Sequence, residues 1–221
     1  MILGGAMLQH CDHSILRMRL QPLRARALNP ATRFEDFGKI LIGDNVTYKR
    51  MRAFTQADRF LSELESRKLR PAYVLVGDEA FFRKRCRDAI LEHMVAPDSL
   101  DFSVFEFDLA ETSLSEVLDR ARTPSLMAPF QVFFVRGVKA LFGRGSNEEK
   151  IGAIEDYCKN PNPDALVIFV ADHISIPADA RRMEMTDRDR YQKIREDLGP
   201  FCGIVELSRV EEGEAVRWIA G

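Results

Sequence analysis

The chain has 221 residues, 46% hydrophobic and 30% charged, with a net charge of −2 and a pI near 6.1. That is enough for one α/β domain with a real core plus a smaller appendage, and it excludes a global basic field that would draw the chain to nucleic acid. No apolar run approaches the roughly 18 residues that span a bilayer, and no secretory signal is expected, because the opening apolar run breaks at once into Gln9-His10-Cys11-Asp12-His13.

Residues 1–50 stand apart. They hold eight Lys/Arg against four Asp/Glu, a net +4, so the remaining 171 residues carry −6. Hydrophobic periodicity is poor and Pro22 and Pro30 interrupt it, so a poorly ordered N-terminal extension is expected. The arginines up to Arg33, with almost no acids, have the composition of a transit peptide. The plainer reading, which we favour, is an upstream extension before a start at Met51. His10, Cys11, Asp12 and His13 are too close in sequence for all to reach one metal ion.

From Met51 onward the pattern alternates. Phe54, Ala57, Phe60, Leu61 and Leu64 recur at helical spacing and predict an amphipathic helix ending near Lys68. Ala72–Val76 is a continuous apolar strand, followed by a helix from Glu79 to about Val95, closed by Pro97. Phe102–Phe107 reads as a second strand. Thr112 or Ser113, the latter with Glu116 three residues on, resembles a capping box opening a helix to about Arg122. Gln131–Arg136 is a third strand, a helix runs from about Asn147 to Cys158, and Ala165–Val170 is a fourth strand. A helix over Arg188–Leu198 and a fifth strand at Gly203–Leu207 complete the series. Apolar strands separated by helices require a parallel sheet covered on both sides, which right-handed crossovers make a three-layer α/β sandwich. The strand order is not legible. Residues 211–221 begin another helix, with Val216, Trp218 and Ile219 on an apolar face, and read as the start of a second domain cut short.

Two places carry candidate function. The first is the turn after the first strand, Gly77-Asp78-Glu79. A nucleotide-binding α/β domain has there a glycine-rich loop ending in Lys-Ser/Thr, whose amides and ammonium cradle phosphates. This turn is too short, lacks the lysine and carries two carboxylates at the positive end of a helix dipole. Neither cofactor nor catalytic residue is therefore expected. Asp78, Glu79, Asp108 and Asp172 all close strands, where open α/β sheets place their sites. Converging acids would hold Mg²⁺ for phosphoryl transfer, the contrasting enzyme reading. Acids at strand ends are also ordinary helix caps and turn formers, and no metal site is expected.

The second is Thr123-Pro124-Ser125-Leu126-Met127-Ala128-Pro129-Phe130, where two prolines stop either neighbouring element from continuing. Leu126, Met127 and Phe130 either plug the rim of the core or form a wedge for an apolar pocket on a partner. Basic residues are scattered: Arg83, Lys84, Arg85 and Arg87, then Arg136, Lys139 and Arg144. His93 and His173 have no nucleophile or acid at suggestive spacing. Cys11, Cys86, Cys158 and Cys202 form no CxxC pair and read as free thiols of a reducing compartment.

In order, Tyr73-Val-Leu-Val-Gly-Asp-Glu79, Phe102-Ser-Val-Phe105, Leu118-Asp-Arg-Ala-Arg-Thr-Pro-Ser-Leu-Met127 and Val132-Phe-Phe-Val-Arg-Gly-Val-Lys-Ala-Leu141 resemble the delta subunit of the bacterial DNA polymerase III clamp loader. Ala165-Leu-Val-Ile-Phe-Val-Ala-Asp-His173, Val205-Glu-Leu207 and Val216-Arg-Trp-Ile219 continue the match, which covers about residues 52–221. The resemblance implies an AAA+ fold without a working nucleotide site, and a subunit that opens the ring-shaped sliding clamp for loading onto DNA while sister subunits bind and hydrolyse ATP. It implies as partners the clamp (beta subunit), the other clamp-loader subunits and, through them, DNA; no membrane; a cytoplasmic location; and membership of a DNA-directed DNA polymerase holoenzyme. The family's wedge is a Leu followed by a second apolar residue, usually Phe. These map to Leu126 and Met127. Methionine departs from the pattern but is apolar and adaptable, and whether Met127 or Phe130 is the second residue stays open.

Overall fold

Five short strands pair side by side in the computed structural model, which describes residues 52–143 and 147–210. Readings on residues 1–51, on Arg144 and on 211–221 lie outside the described residues; they include the basic extension, the His10–His13 cluster, Cys11 and the apolar face of Val216, Trp218 and Ile219. Strands β1 (Ala72–Val76), β2 (Val104–Asp108), β3 (Gln131–Arg136), β4 (Ala165–Ala171) and β5 (Gly203–Glu206) form one sheet. Every pairing is parallel, in the order β2-β3-β4-β1-β5. Every residue of the central strands β1 and β4 is buried, as a parallel sheet covered on both faces demands.

The helices are α1 (Arg52–Glu65), α2 (Ala80–Met94), α3 (Leu114–Arg122), α4 (Asn147–Lys159) and α5 (Met185–Asp197). Alternate strand residues point to opposite faces. Val74, Val76, Phe133 and Phe169 therefore meet Val117, Ile154 and Ile194 of α3, α4 and α5 on one side. Tyr73, Leu75, Val132 and Ile168 meet Phe60, Leu64, Phe82 and Ile90 of α1 and α2 on the other. Each such fully buried side chain contributes about 1.5–3 kcal/mol. The chain runs from β1 to the β2 edge and then back across the sheet to β5. Right-handed crossovers in opposite directions must lie on opposite faces, which is why α2 is separated from α3, α4 and α5. This is the expected three-layer sandwich, consistent with an AAA+-like fold.

Three boundaries differ from the sequence reading by two residues or more. The second strand starts at Val104, two residues late. Pro97 opens a 3₁₀ turn with its fixed φ, and Leu100–Ser103 adds one helical turn. Ser99 Oγ bonds the Ala96 carbonyl at 3.1 Å and Ser103 Oγ at 3.0 Å, holding that turn. Helix α1 stops at Glu65 rather than near Lys68, because Arg67 takes a left-handed φ of 52°. The N–H groups of Arg67 and Lys68 donate to the carbonyls of Leu64 and Glu63, both at 3.1 Å, the pairing of a Schellman cap. Helix α5 starts three residues early, at Met185. There Asp187 in its first turn accepts the Ser175 N–H at 3.0 Å and ties the helix to the preceding loop.

Candidate functional site: a closed strand mouth and an exposed apolar turn

Strands β1 and β4 are neighbours whose following helices lie on opposite faces. The C-terminal end of this pair is the switch point at which open α/β sheets bind ligands. Here protein fills it. Gly77 has φ +137°, and a Cβ added to it would lie 2.1 Å from the Leu207 carbonyl oxygen. Gly77 N–H donates to Ala171 O at 3.2 Å, and Leu207 N–H donates to Val76 O at 2.7 Å. The segment after β5 thus crosses the end of β1. Arg209 on that segment donates through Nε to Asp78 Oδ1 at 3.2 Å and through Nη2 to Oδ2. The Asp78 hydrogen bond and charge raise the guanidinium's pKa above its already high usual value.

Glu79 is the N-cap of α2 and accepts the Phe81 N–H at 3.3 Å. The end of the helix that would receive a phosphate is occupied by its own carboxylate. Arg83 Nη1 donates to the Gly77 carbonyl at 3.4 Å and braces the turn. The other strand-end acids are also engaged. Asp108 accepts the Ala110 N–H at 2.9 Å, on the edge strand β2, with β3 and β4 between it and β1. Asp172 lies 3.8 Å from Arg136. Among the described residues no three His, Cys, Asp or Glu side chains gather where they could hold a metal ion. The acids of the phosphotransfer alternative are not brought together.

The second candidate is built differently. Helix α3 is capped by Ser113, whose Oγ accepts the Glu116 N–H at 3.3 Å, and it ends at Thr123, whose Oγ1 donates to Asp119 O at 2.9 Å. Pro124 then forces the chain out of the helix. The Ser125 hydroxyl oxygen accepts N–H bonds from Met127 and Ala128, both at 3.1 Å. This is a Ser-type turn that mimics a backbone turn. Ala128 is buried beneath it, and the Gln131 N–H donates to Asp164 O at 2.8 Å where β3 begins. The tip projects: Leu126 is fully exposed (101%) and Met127 is 66% exposed. Phe130 is half-buried and packs against the core cluster that contains Phe82, Ile90 and Val132. The three apolar candidates are therefore divided, two facing outward and one inward.

Ser125 was missed by sequence reasoning, although a serine after proline and before two apolar residues is a turn signal in its own right. The basic residues are mostly spoken for within the fold. Arg87 bonds Glu106 at 2.6 Å and lies 4.4 Å from the Phe134 ring centroid. Lys84 reaches Asp88 and Arg85 reaches Asp58. Burial pushes the Cys86 thiol up to about 12, and the hydrogen bond that the Cys202 thiol donates to Cys158, together with burial, raises that of Cys202. Both thiols are inert near neutral pH. Among the described residues no helix is long and apolar enough to cross a membrane.

Residues 73–177 match the family model described as DNA polymerase III, delta subunit. Over 111 residues the chain is 25% identical to DNA polymerase III subunit delta of Bacillus subtilis strain 168, covering 49% of this chain and 32% of that relative. The fold is similar to that of the Bacillus subtilis DNA clamp loader delta protein, with a TM-score of 0.56 and 20% identity over 73% of this chain and 45% of that one. The chain spans about a third of the curated relative and less than half of the solved one.

Proposed function

We propose, starting from the match of residues 73–177 to the DNA polymerase III delta subunit family, that this chain is a clamp-loader delta-type subunit of the cytoplasm. In this reading it binds and opens the sliding clamp and does not hydrolyse ATP. The supporting observation is the turn at Ser125–Ala128. Its hydroxyl clip holds Leu126 fully exposed beside an exposed Met127, although leaving large apolar side chains in water forgoes about 1.5–3 kcal/mol each. An apolar tip held rigid before binding loses little conformational freedom on docking, and the gain is realised when a partner's pocket desolvates it.

The mechanism needs no bond making in this chain. ATP binding by sister subunits would shift the assembly toward a conformation in which the tip is accessible. Leu126 and Met127 would then bury in the clamp, holding one ring interface open until DNA has entered. Phe130, packed against the core below the tip, serves in this reading as the base on which the turn is seated. The mouth at Gly77–Glu79, filled by Leu207 and Arg209, is the reason hydrolysis is assigned to the sisters. The decisive measurement is the affinity of the full chain for its cognate clamp by surface plasmon resonance. Leu126→Asp should weaken it by more than about 2 kcal/mol, roughly 30-fold. An unchanged dissociation constant in a variant with an unaltered melting curve would remove the wedge.

A further inference from the structure

Among the described residues six large hydrophobic side chains are exposed, and four of them, Leu100, Phe102, Leu126 and Met127, belong to the two segments that lead into β2 and β3. These strands are parallel neighbours, paired from Val104 with Val132 onward. Both segments therefore emerge at the same, N-terminal end of the sheet, on strands about 4.8 Å apart. Leu100 is 43% exposed and Phe102 48%. They flank Asp101 on a single helical turn, so they point to different sides of that turn. Like the wedge, this turn is clipped by serine hydroxyls, here Ser99 to Ala96 O and to Ser103. Two turns at this end of the sheet are thus clipped by serine hydroxyls, and both turn apolar side chains toward water. Exposed Asp98 and Asp101 surround the first of them.

Resting on the proposed clamp reading, we infer that the docking surface is a rim of two clipped turns, with Leu100 and Phe102 as a second apolar anchor beside Leu126 and Met127. Its occupant is the same clamp ring. It meets the rim with an apolar pocket for the wedge and, next to it, an apolar ledge bordered by lysine or arginine opposite Asp98 and Asp101. The shared end of the sheet and the exposed acids Asp98 and Asp101 select this occupant. A second copy of the chain would place the same acids against each other across a two-fold axis.

The test is titration of the full chain against its cognate clamp, comparing wild type with Leu100→Asp, Phe102→Asp, Phe102→Ala and Leu126→Asp, each checked for an unchanged circular dichroism melt. At least one of the Leu100 and Phe102 charge variants should weaken binding fivefold or more, with Phe102→Ala milder than Phe102→Asp. Asp98→Lys/Asp101→Lys should slow association and flatten its salt dependence. If Leu126→Asp abolishes binding while the Leu100 and Phe102 variants match wild type, the second anchor is wrong and the wedge stands. If Leu126→Asp is also silent, the clamp reading itself falls. A concentration-dependent dimer lost in Phe102→Asp, with clamp affinity intact, would reassign the rim to self-association and overturn the inference.

Discussion

The side chain that decides how the exposed turn behaves is a small one. Ser125 is half-buried, and its single oxygen takes the N–H groups of Met127 and Ala128. Without it those two donors would turn to water, and the tip would sample several conformations. Because the tip is at the surface, water replaces most of the lost hydrogen bonding. The net contribution to folding is then about 1 kcal/mol at most, while ordering the tip falls to the binding step. Ser125→Ala should lower the melting temperature by no more than about 3 °C and weaken clamp binding roughly three- to tenfold, almost wholly through a faster dissociation rate. Ser125→Thr, which keeps the oxygen, should restore most of the loss. If serine and alanine dissociate at the same rate, the turn is organised by its prolines alone. Phe130 shows why residue type did not assign the wedge. It shares a constrained segment with Leu126 and Met127, but only its packing against the core cluster of Phe82, Ile90 and Val132 reveals that it faces inward.

At the scale of elements, the parallel strands and the Ser113 cap could be read from residues because each follows from a local pattern. A run such as Ala-Leu-Val-Ile-Phe-Val is apolar on both faces, and Ser113 stands three residues before Glu116. Boundaries set by unusual backbone could not. The end of α1 rests on Arg67 in the left-handed region, where a glycine would be the ordinary choice, so nothing in Ser66-Arg67-Lys68 announces a stop. The late start of β2 has the same origin, since Phe102 and Ser103 have strand character and are held helical by hydroxyl contacts at Ser99. The strand order is fixed by long-range pairing, which leaves no local mark. Arg67 yields a prediction at this scale. A non-glycine residue in the left-handed region costs about 1–2 kcal/mol, while glycine gives back part of that through a more flexible unfolded chain. Arg67→Gly should therefore stabilise the domain by about 0.5–1 kcal/mol, read as a higher urea midpoint with the same m-value. A midpoint lowered by the substitution would mean that the Arg67 side chain makes contacts worth more than the strain.

For the molecule as a whole, the question is whether a fold built around a switch point can be without a ligand there. The topology gives this chain the crevice, at the ends of β1 and β4, and the sequence then closes it from three sides. Leu207 abuts Gly77, Arg209 pairs with Asp78, and Glu79 caps α2. A nucleotide would have to displace the strand-like contact Leu207 N–H to Val76 O and place its phosphates beside two carboxylates already matched to partners. Each displacement is unfavourable, and no lysine stands in the turn to offset them. Binding to the native state raises stability by RT ln(1 + [L]/Kd), about 2.7 kcal/mol when ligand is at 100 times Kd. For a chain of this size that corresponds to a rise of roughly 5–10 °C in melting temperature. We expect Mg·ATP at about 1 mM to move the melting temperature of the full chain by less than about 1 °C, and ATP hydrolysis to stay at the rate of a buffer blank. The measurement is differential scanning fluorimetry with and without nucleotide, repeated on Arg209→Ala, which frees Asp78 without adding a cation. A rise of several degrees in the wild type would show that the segment from Leu207 to Arg209 opens, and a nucleotide-sensing role would then join the proposed wedge. A rise confined to Arg209→Ala would locate the barrier in that one ion pair.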